Sequence, residues 1–456
     1  MDNLTADVVV IGMGPGGEDA AGRLARAGLD VIGIDRELVG GECPYWGCIP
    51  SKMMVRAANL LAEARRIPGM AGDVTVSPDW MPVAQRIRDE ATHDWDDTAS
   101  VARFEGKGGR FIRGAGRITG PHEVTVGHQV ISATRGILVA TGTSAAIPPI
   151  DGLDEVPYWT NREAIATTEI PASLVVLGGG AIGVELAQSF ARFGTAVTIV
   201  EAQDRLVPPE EPEAGTLLAE VFAAEGIDVR TATSVTGVSS TSNGIRVALD
   251  DDSSLDATHL LVATGRRADL GAVGLGAAGI DDSQRWVPVD EHQRVTGADR
   301  IWAVGDITGK GAFTHVALYQ SAIAVADILG HDHAPAQYHA LPRATFVDPE
   351  IGSVGQTEEQ AREAGTAVAI GTKKVPSTSR GWLHKVGNEG FIKLVADTDR
   401  DVLIGATAMG PSGGEVLGLL TLAIHAEIPI PTLRHMIYAY PTFHGGVEDA
   451  LKGLPR

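Results

Sequence analysis

Cys43 and Cys48 are the only cysteines in the 456 residues, and they lie five positions apart in GGECPYWGC, residues 40–48. Zinc-binding and thioredoxin-like motifs normally use a CxxC spacing, so this pattern indicates neither. In an otherwise cysteine-free chain, the pair is typical of a redox-active dithiol in a reducing compartment; two unrelated buried cysteines are the simpler alternative. The sequence therefore favours electron transfer through this segment.

The two cysteines can form a disulfide only if the helix around them is irregular. In an ideal helix, Cα atoms five positions apart are at least ~7.5 Å apart, whereas a disulfide needs roughly 4.4–6.8 Å. Pro44 suits a first helical position, which would place Cys43 at the N-cap, and Gly47 loosens the next turn. We expect a distorted first turn, an easily reduced disulfide across it, and a helix N-terminus that lowers the cysteine pKa.

Two segments, residues 7–35 and 174–201, repeat one another. Each runs from an apolar strand through a GxGxxG turn and an alanine-rich helix to a second strand that ends in an acid, the context that a dinucleotide-binding fingerprint requires. The glycines allow the turn and the approach of a pyrophosphate to the helix N-terminus, and the acid binds a ribose hydroxyl. The positions are Gly12, Gly14, Gly17 and Asp35 in the first copy and Gly178, Gly180, Gly183 and Glu201 in the second.

Two dinucleotide sites in one chain predict electron transfer between two dinucleotides. Glu201 would repel the 2′-phosphate of NADPH, so the second site favours NADH. Arg205 is close in sequence and could weaken that preference. A further strand is expected to end at Asp306 and to precede a helix from about Thr314; Asp306 suits either a sugar hydroxyl or a turn role.

The composition excludes several classes of protein. Hydrophobic residues make up 44% of the chain, and the formal net charge is −21, which disfavours nucleic acid or an anionic membrane as a partner. The amino terminus lacks a signal-like pattern, and no run approaches the ~18 apolar residues of a membrane helix. We expect a cytoplasmic protein, and we predict no metal site.

At this point the sequence resembles the class I pyridine nucleotide-disulfide oxidoreductases, which include dihydrolipoamide dehydrogenase, glutathione reductase and mercuric reductase. The resemblance covers essentially the whole chain, and its most specific element is the CxxxxC followed by IPSK. The motifs that carry it, in the family's order, are GMGPGG, GGECPYWGCIPSK, GGGAIGVE, ATGRRAD, AVGDITG and DPEIGSVGQTEEQAREAG.

The resemblance implies an α/β fold with two Rossmann-like domains, for FAD and NAD, and a C-terminal α+β dimerisation domain that forms a homodimer. The alternation of strands and helices ends near residue 335, where HAPAQYHALP indicates a linker. The predicted boundaries are 1–149 and 269–334 for the two parts of the FAD domain, 150–268 for the NAD domain and 335–456 for the dimerisation domain.

The resemblance also assigns residues to each cofactor, and these add to the glycines and acids above. The further FAD residues are Lys52, Ala115, Thr141, Gly142, Asp306, Phe313, Thr314 and His315, and the further NAD residues are Ile182, Glu185, Val235 and Gly265.

By the same resemblance, Cys48 is the flavin-proximal thiol and Cys43 the interchange thiol that attacks the substrate. Electrons would pass from NADH to FAD, to the Cys43–Cys48 disulfide and on to the substrate. Lys52 corresponds to the lysine beside the flavin and Glu185 to its ion-pair partner, which a buried lysine requires.

The sequence departs from the family near its end, in YAYPTFHGGVEDAL. Tyr440 stands where most relatives have an acid–base histidine, and Gly445 where its orienting glutamate is expected. A tyrosine, with a pKa near 10, donates a proton readily but accepts one poorly. Tyr440 therefore favours reduction of a substrate over oxidation of dihydrolipoamide, and His444 could replace the missing histidine if a helix begins near Phe443.

Tyr45 and Trp46 are a second departure, because relatives commonly have smaller side chains between the cysteines. Trp46 either lines the substrate channel, where it would narrow access, or stacks near the flavin, or packs beneath the dimer interface.

The sequence thus predicts an FAD enzyme that passes electrons from NADH to a small disulfide. The alternatives are a non-disulfide acceptor such as a metal ion or quinone, a dihydrolipoamide dehydrogenase proper, or a redox sensor without turnover.

Overall fold

The computed structural model describes residues 3–455, which form two compact units. The first comprises the segments up to Pro50, Gln85–Ala146 and Gly265–Gln337. The second comprises Ser51–Ala84, Ile147–Thr264 and the chain from Tyr338 onward. The four-segment boundaries predicted from the sequence stay a prediction.

The strands in chain order are β1 (Asn3–Ile11), β2 (Val31–Asp35), β3 (Arg110–Arg113), β4 (Gly116–Gly120), β5 (Glu123–Val126), β6 (Gln129–Val139), β7 (Ser144–Ala145), β8 (Ser173–Leu177), β9 (Ala196–Val200), β10 (Asp228–Arg230), β11 (Val235–Thr241), β12 (Gly244–Leu249), β13 (Ser254–Ala257), β14 (His259–Val262), β15 (Arg266–Arg267), β16 (Ile301–Ala303), β17 (Pro342–Thr345), β18 (Glu350–Gly355), β19 (Val368–Lys374), β20 (Phe391–Asp397) and β21 (Val402–Gly410). The α-helices are α1 (Pro15–Arg26), α2 (Glu42–Tyr45), α3 (Cys48–Arg65), α4 (Met81–Arg86), α5 (Thr98–Glu105), α6 (Asn161–Ala166), α7 (Ala181–Phe193), α8 (Pro212–Ala224), α9 (Leu270–Val273), α10 (Thr314–Leu329), α11 (Glu358–Glu363), α12 (Ser379–His384), α13 (Gly413–His425), α14 (Ile430–His435) and α15 (His444–Lys452). Short 3-10 or π turns cover Ile87–Ala91, Leu153–Glu155, Leu275–Ala278, Asp306–Thr308 and Val375–Ser377. No helix in the described part of the chain combines the length and apolar character needed to span a membrane.

A mixed sheet forms the centre of the first unit, in the order β3-β2-β1-β6-β5-β4, with β16 also pairing with β6. β1 pairs in parallel with both β2 and β6, and Val8–Ile11 are buried on both faces, as the unbroken apolar run of a central parallel strand requires. Helices α1 and α10 pack together on this unit, and α10 begins at Thr314 as predicted.

The second unit contains a four-stranded parallel sheet, in the order β10-β9-β8-β14, and an antiparallel sheet β11-β12-β13. Its C-terminal part is a five-stranded antiparallel sheet, β17-β18-β21-β20-β19, against which α13 and α15 pack. The switch from parallel to antiparallel pairing confirms the predicted α/β class with a C-terminal α+β part.

The two glycine turns have the same construction. Gly12 has φ +92°, and a Cβ there would lie 2.4 Å from the Ala140 carbonyl oxygen, so only glycine fits. A Cβ on Gly17 would lie 1.9 Å from the Gly12 oxygen, which shows how closely α1 packs on β1. A Cβ on Gly14, at the helix N-terminus, would have no heavy atom within 4 Å. The turn is therefore closed towards the protein and open in front of the helix.

In the second glycine turn, residues 178–183, mutation can separate the glycine needed for close helix packing from the glycine that leaves space for a nucleotide. A Cβ on Gly183 would lie 2.0 Å from the Gly178 oxygen, whereas one on Gly180 has no neighbour within 4 Å. We expect Gly183→Ala to lower the free energy of unfolding by ~1–3 kcal/mol through overpacking. The matched Gly180→Ala should leave stability unchanged and raise the KM for the nicotinamide nucleotide. Urea unfolding and steady-state kinetics check both, and equal stability losses would contradict the assignment.

Candidate functional site

The cysteine segment is irregular, as predicted, but its helix begins earlier than expected. α2 covers Glu42–Tyr45, the chain turns at Trp46 and Gly47, and α3 starts at Cys48. The N-cap of α2 is Gly41, so the prediction that Cys43 is the N-cap is wrong. The reason is steric: Gly41 has φ +68°, and a Cβ there would lie 2.7 Å from Gly14 Cα, so the helix starts where the chain passes against the first glycine turn.

The two cysteines differ in exposure, Cys43 being half-buried and Cys48 exposed, and the structure describes both as thiols. The redox disulfide between them stays a prediction. Cys48 Sγ lies 3.6 Å from Thr314 Oγ1. Cys48 is the first residue of α3 and Thr314 the first residue of α10, so the sulfur lies at two helix N-termini. The positive ends of the two helix dipoles stabilise a thiolate at this position.

The two aromatic residues between the cysteines belong to the first unit and differ in burial. Tyr45 is 4% exposed, and burial raises the pKa of its hydroxyl. Trp46 stacks on Trp95 with ring centroids 5.2 Å apart. Trp46 itself is half-buried, and its expected place in the substrate channel, near the flavin or beneath the dimer interface stays a hypothesis.

The acid of the first repeat is held by the turn that it follows. Asp35 Oδ2 accepts a hydrogen bond from Met13 N, and Oδ1 accepts one from Glu37 N, both at 2.7 Å. Burial raises the pKa of Asp35, against the opposing effect of these two N–H groups. Together with the open space at Gly14, this arrangement fits the ribose and pyrophosphate of a dinucleotide.

The other predicted FAD residues, apart from Lys52, also belong to the first unit. Ala115 is exposed and follows Gly114, whose N–H donates to the Asp35 carbonyl, and Gly142 has φ +63°. Phe313 and His315 stack at 5.1 Å beside Thr314 at the start of α10. Thr141 is exposed after β6.

Asp306 is neither a plain turn residue nor a helix cap, because its side chain takes part in a polar cluster. Thr143 Oγ1 donates to Asp306 Oδ2 at 2.8 Å. Arg266 Nε donates to Thr143 Oγ1 at 2.9 Å, and Arg266 also reaches Glu42 Oε2 at 3.5 Å. Sequence reasoning missed Arg266 and Thr143, although both lie inside the conspicuous segments ATGT and ATGRRAD. Through Glu42, this cluster holds the helix that carries Cys43.

The second repeat reproduces the first. Glu201 is buried; its Oε2 accepts from Gly179 N at 2.7 Å and its Oε1 from Gln203 N at 2.8 Å. Arg205 is engaged elsewhere, since its guanidinium contacts Asp204 and the Pro208 carbonyl oxygen. The arrangement is the same as at Asp35 and likewise fits the ribose of a dinucleotide.

The remaining predicted NAD residues divide between the units. Ile182 and Gly183 lie in the first turn of α7, and Val235 begins β11, all in the second unit. Gly265 belongs to the first unit, with φ +124° and no neighbour within 4 Å of a Cβ.

Lys52 and Glu185 form the predicted ion pair, within the second unit. Lys52 Nζ lies 2.6 Å from Glu185 Oε2, and Glu185 Oε1 accepts from Phe346 N at 2.8 Å. Glu185 is 6% exposed and Lys52 35% exposed. The lysine also lies over the Phe346 ring, 4.8 Å from its centroid. Both carboxylate oxygens are thus satisfied, and the ammonium group is fixed one helical turn after Cys48.

The two candidate acid–base residues near the C-terminus are four positions apart in sequence and differ in environment. Tyr440 is 81% exposed. His444 is half-buried and is the first residue of α15, so the helix does begin after Phe443. Their catalytic roles stay predictions.

The Lys52–Glu185 pair predicts a measurable cost when one partner is removed. Lys52→Met leaves the buried carboxylate of Glu185 without its cation, and we expect a loss of about 2 kcal/mol in unfolding free energy. Removing one partner of a fully buried ion pair typically lowers the unfolding free energy by roughly 3–5 kcal/mol, and the partial exposure of Lys52 reduces this loss. Urea unfolding of the holoenzyme measures it. The matched control is Arg246→Met, which breaks the exposed pair with Asp256 and should change little; equal effects of the two substitutions would contradict the prediction.

Comparison with known proteins agrees with this geometry. Residues 6–323 match the model of the pyridine nucleotide-disulphide oxidoreductase family, and residues 341–451 match its dimerisation domain. The chain is 33% identical to the dihydrolipoyl dehydrogenase of Chlorobaculum tepidum over 461 residues, covering 98% of this chain and 97% of that protein. It is 32% identical to a mercuric reductase of Acidithiobacillus ferrooxidans over 466 residues, covering 100% of this chain and 84% of that protein.

Among solved structures, the fold is similar to a Cu(II) complex of the HOCl-induced flavoprotein disulfide reductase RclA from Escherichia coli. The TM-score is 0.86 at 27% identity, and the match covers 98% of this chain and 99% of that chain. The expected family and enzyme class are therefore confirmed. The chain belongs to the pyridine nucleotide-disulphide oxidoreductases, FAD-dependent enzymes that use pyridine nucleotides, and carries the dimerisation domain of that family.

Proposed function

We propose that this enzyme uses NADH to reduce a small disulfide through Cys43 and Cys48. The observation that supports this most is the position of Cys48 Sγ, 3.6 Å from Thr314 Oγ1 at the N-termini of α3 and α10. A thiolate stabilised at that position can remain charged next to a flavin, while Cys43 is left to react with the substrate.

The Cys43–Cys48 dithiol supplies both electrons for reduction of the substrate disulfide, so this step needs no other reductant. The Cys43 thiolate attacks one sulfur of the substrate, the substrate S–S bond breaks, and the first thiolate leaves and takes up a proton. Cys48 then attacks the Cys43 sulfur, which releases the second thiol and closes the Cys43–Cys48 disulfide. Gly12, Gly14 and Asp35 would hold FAD, which would supply the electron pair from NADH that reopens this disulfide.

Tyr440 supplies the proton for the departing thiolate in this proposal. A phenol is a competent donor but a weak base at neutral pH, so reduction of a disulfide is favoured over oxidation of dihydrolipoamide. His444 is the second candidate for the same proton. This asymmetry separates the enzyme from the dihydrolipoyl dehydrogenases that it resembles.

The working unit in this proposal is a homodimer. Large apolar side chains are strongly exposed on the part of the chain matched by the dimerisation domain, which supports burial against a second copy. They are Ile437 (96% exposed), Tyr440 (81%), Trp382 (69%) and Leu422 (58%). A second copy would also bring Tyr440 towards its partner's thiols, as in the family.

A metal ion is the second candidate acceptor. The specific support is the likeness to mercuric reductases and to a reductase whose structure is described as a Cu(II) complex. A pair of thiolates is a suitable ligand set for soft metal ions.

NADH is the preferred nucleotide in this proposal. Glu201 is buried and oriented by two backbone N–H groups, which supports a fixed negative charge that would repel a 2′-phosphate. Arg205, the nearby cation, already contacts Asp204 and Pro208.

The acceptor is tested by NADH consumption with a panel of low-molecular-weight disulfides, quinones, Hg²⁺ and Cu²⁺. We expect a disulfide to give the highest kcat/KM, and Cys43→Ser to lower it at least 100-fold. Tyr440→Phe should lower kcat for disulfides by ~100-fold, the usual contribution of a general acid, while His444→Gln leaves it unchanged. Full disulfide turnover in Cys43→Ser would overturn the proposed route, and a higher kcat/KM for Hg²⁺ or Cu²⁺ would favour the second candidate.

The nucleotide preference is tested by the ratio of kcat/KM for NADH and NADPH. The wild-type ratio should exceed 10, and Glu201→Gln should reduce it, because the amide keeps an acceptor for Gly179 N–H but removes the charge. Arg205→Ala serves as the control and should leave the ratio unchanged. A wild-type preference for NADPH, or an unchanged ratio in Glu201→Gln, would contradict the prediction.

A further inference from the structure

Two histidines and an aspartate meet in the first unit, in a cluster that the redox chemistry does not use. His292, Asp327 and His333 each offer one ligand atom, and these atoms all lie within 4.8 Å of one another. Asp327 belongs to the last turn of α10, whereas the histidines come from two loops. Asp327 is 5% exposed, His333 15% and His292 31%, so the cluster is largely buried but open on the His292 side.

The two imidazoles approach each other through nitrogen atoms. His292 Nδ1 lies 3.0 Å from His333 Nε2, and His333 Nδ1 lies 3.0 Å from the His331 carbonyl oxygen. A carbonyl can only accept, so His333 carries its proton on Nδ1 and presents the Nε2 lone pair to the cluster. A metal-binding histidine typically has this backbone partner on its other nitrogen.

Asp327 has one lone-pair direction left on the oxygen nearest His333. Oδ2 accepts from both Arg294 Nε and Trp302 Nε1, at 2.7 and 2.8 Å. Among residues 3–455, the only donor to Oδ1 is Arg294 Nη2, and Oδ1 lies 3.9 Å from His333 Nε2. Each carboxylate oxygen has about two acceptor positions, so Oδ1 can take one more partner.

Both histidine loops are held by their own hydrogen bonds. Asp290 Oδ1 accepts from His292 N and from Arg294 N, both at 2.9 Å, which closes a tight turn around His292. After α10 ends at Leu329 and Gly330 caps it, His331 N donates back to the Ala326 carbonyl oxygen and directs the chain towards His333. The two loops are therefore held in place before any ligand arrives, which lowers the entropic cost of binding.

We propose that His292 Nδ1, Asp327 Oδ1 and His333 Nε2 bind a divalent transition-metal ion, with water in the remaining positions. Two imidazoles and a carboxylate suit Cu²⁺, Ni²⁺ or Zn²⁺. A 3.0 Å separation between two nitrogens corresponds to an angle of ~95° at a metal ~2.05 Å from each, which is nearer a tetragonal than a tetrahedral site and favours Cu²⁺ or Ni²⁺. To close the site, Asp327 Oδ1 would have to approach His333 by less than ~1 Å.

The charges around the cluster partly oppose one another. Arg294 is the neighbouring cation, but it is 56% exposed and its charge is already paired with Asp327. Burial acts to raise the pKa of Asp327, but Arg294 and Trp302 outweigh it, so this pKa lies below its ordinary value and the carboxylate stays ionised. Glu291 lies 3.9 Å from His292 Nε2 and adds negative charge on the open side.

The bound ion would fasten the end of α10 to the turn around His292. The opposite end of the same helix is Thr314, which contacts Cys48. Metal binding should therefore raise thermal stability through contacts that are separate from the thiols.

The test uses the FAD-loaded, untagged enzyme with Cys43→Ser and Cys48→Ser, because the thiols bind the same metals. We expect Cu²⁺ titration by calorimetry to give one site per chain, with nitrogen couplings in the electron paramagnetic resonance spectrum. The midpoint temperature of thermal unfolding should rise when Cu²⁺ is added. His292 lies in a loop and is partly exposed, so His292→Gln should leave folding undisturbed. Adding either His292→Gln or His333→Gln to the variant with Cys43→Ser and Cys48→Ser should abolish both Cu²⁺ binding and the rise in thermal midpoint.

His339→Gln is the matched control, because His339 stacks on His425 at 5.7 Å without forming such a cluster. It should retain the site and the stabilisation. Circular dichroism and flavin content verify that each variant is folded. The proposal is overturned if the enzyme with Cys43→Ser and Cys48→Ser binds no Cu²⁺, because the cluster would then be only a histidine–histidine hydrogen bond. It is also overturned if one Cu²⁺ per chain still binds after both His292 and His333 are replaced.

Discussion

The hydrogen bond between an acidic side chain and its glycine turn is the interaction on which both nucleotide sites depend. Asp35 Oδ2 binds Met13 N, and Glu201 Oε2 binds Gly179 N, each at 2.7 Å. Each bond ties the end of the second strand to the turn after the first, so strand, turn and helix N-terminus are fixed as one unit. The same bond holds each carboxylate at its turn, an arrangement that fits the proposed contact with a ribose hydroxyl.

The thiol segment is built directly on the first of these turns. A Cβ on Gly41 would lie 2.7 Å from Gly14 Cα, so the backbone before Cys43 passes as close to the turn as a chain can. Arg266 holds the same short helix from another direction through Glu42. The redox segment is thus positioned by backbone packing and one ion pair.

Much of the first unit could be predicted from local pattern. The glycine turns, the start of α10 and the break at Gly47 depend on residues that are close in sequence, where the conformational preferences of glycine and proline decide the structure. The position of the N-cap could not be predicted, because it depends on contact between Gly41 and a turn almost thirty residues earlier. Arg266 and Thr143 were missed for the same reason: their partners come from distant segments.

The sequence by itself determined the chemistry of this protein: two dinucleotide fingerprints, one pair of cysteines with its lysine, and a tyrosine in place of the usual histidine. These are properties of residue type and short spacing, and local physics is enough to interpret them. Only the tertiary structure decided what surrounds each group. It placed Cys48 at two helix N-termini, because α3 and α10 converge there. It also brought His292 to His333, 41 residues further along the chain, because the packing of a folded chain joins residues that no sequence spacing connects.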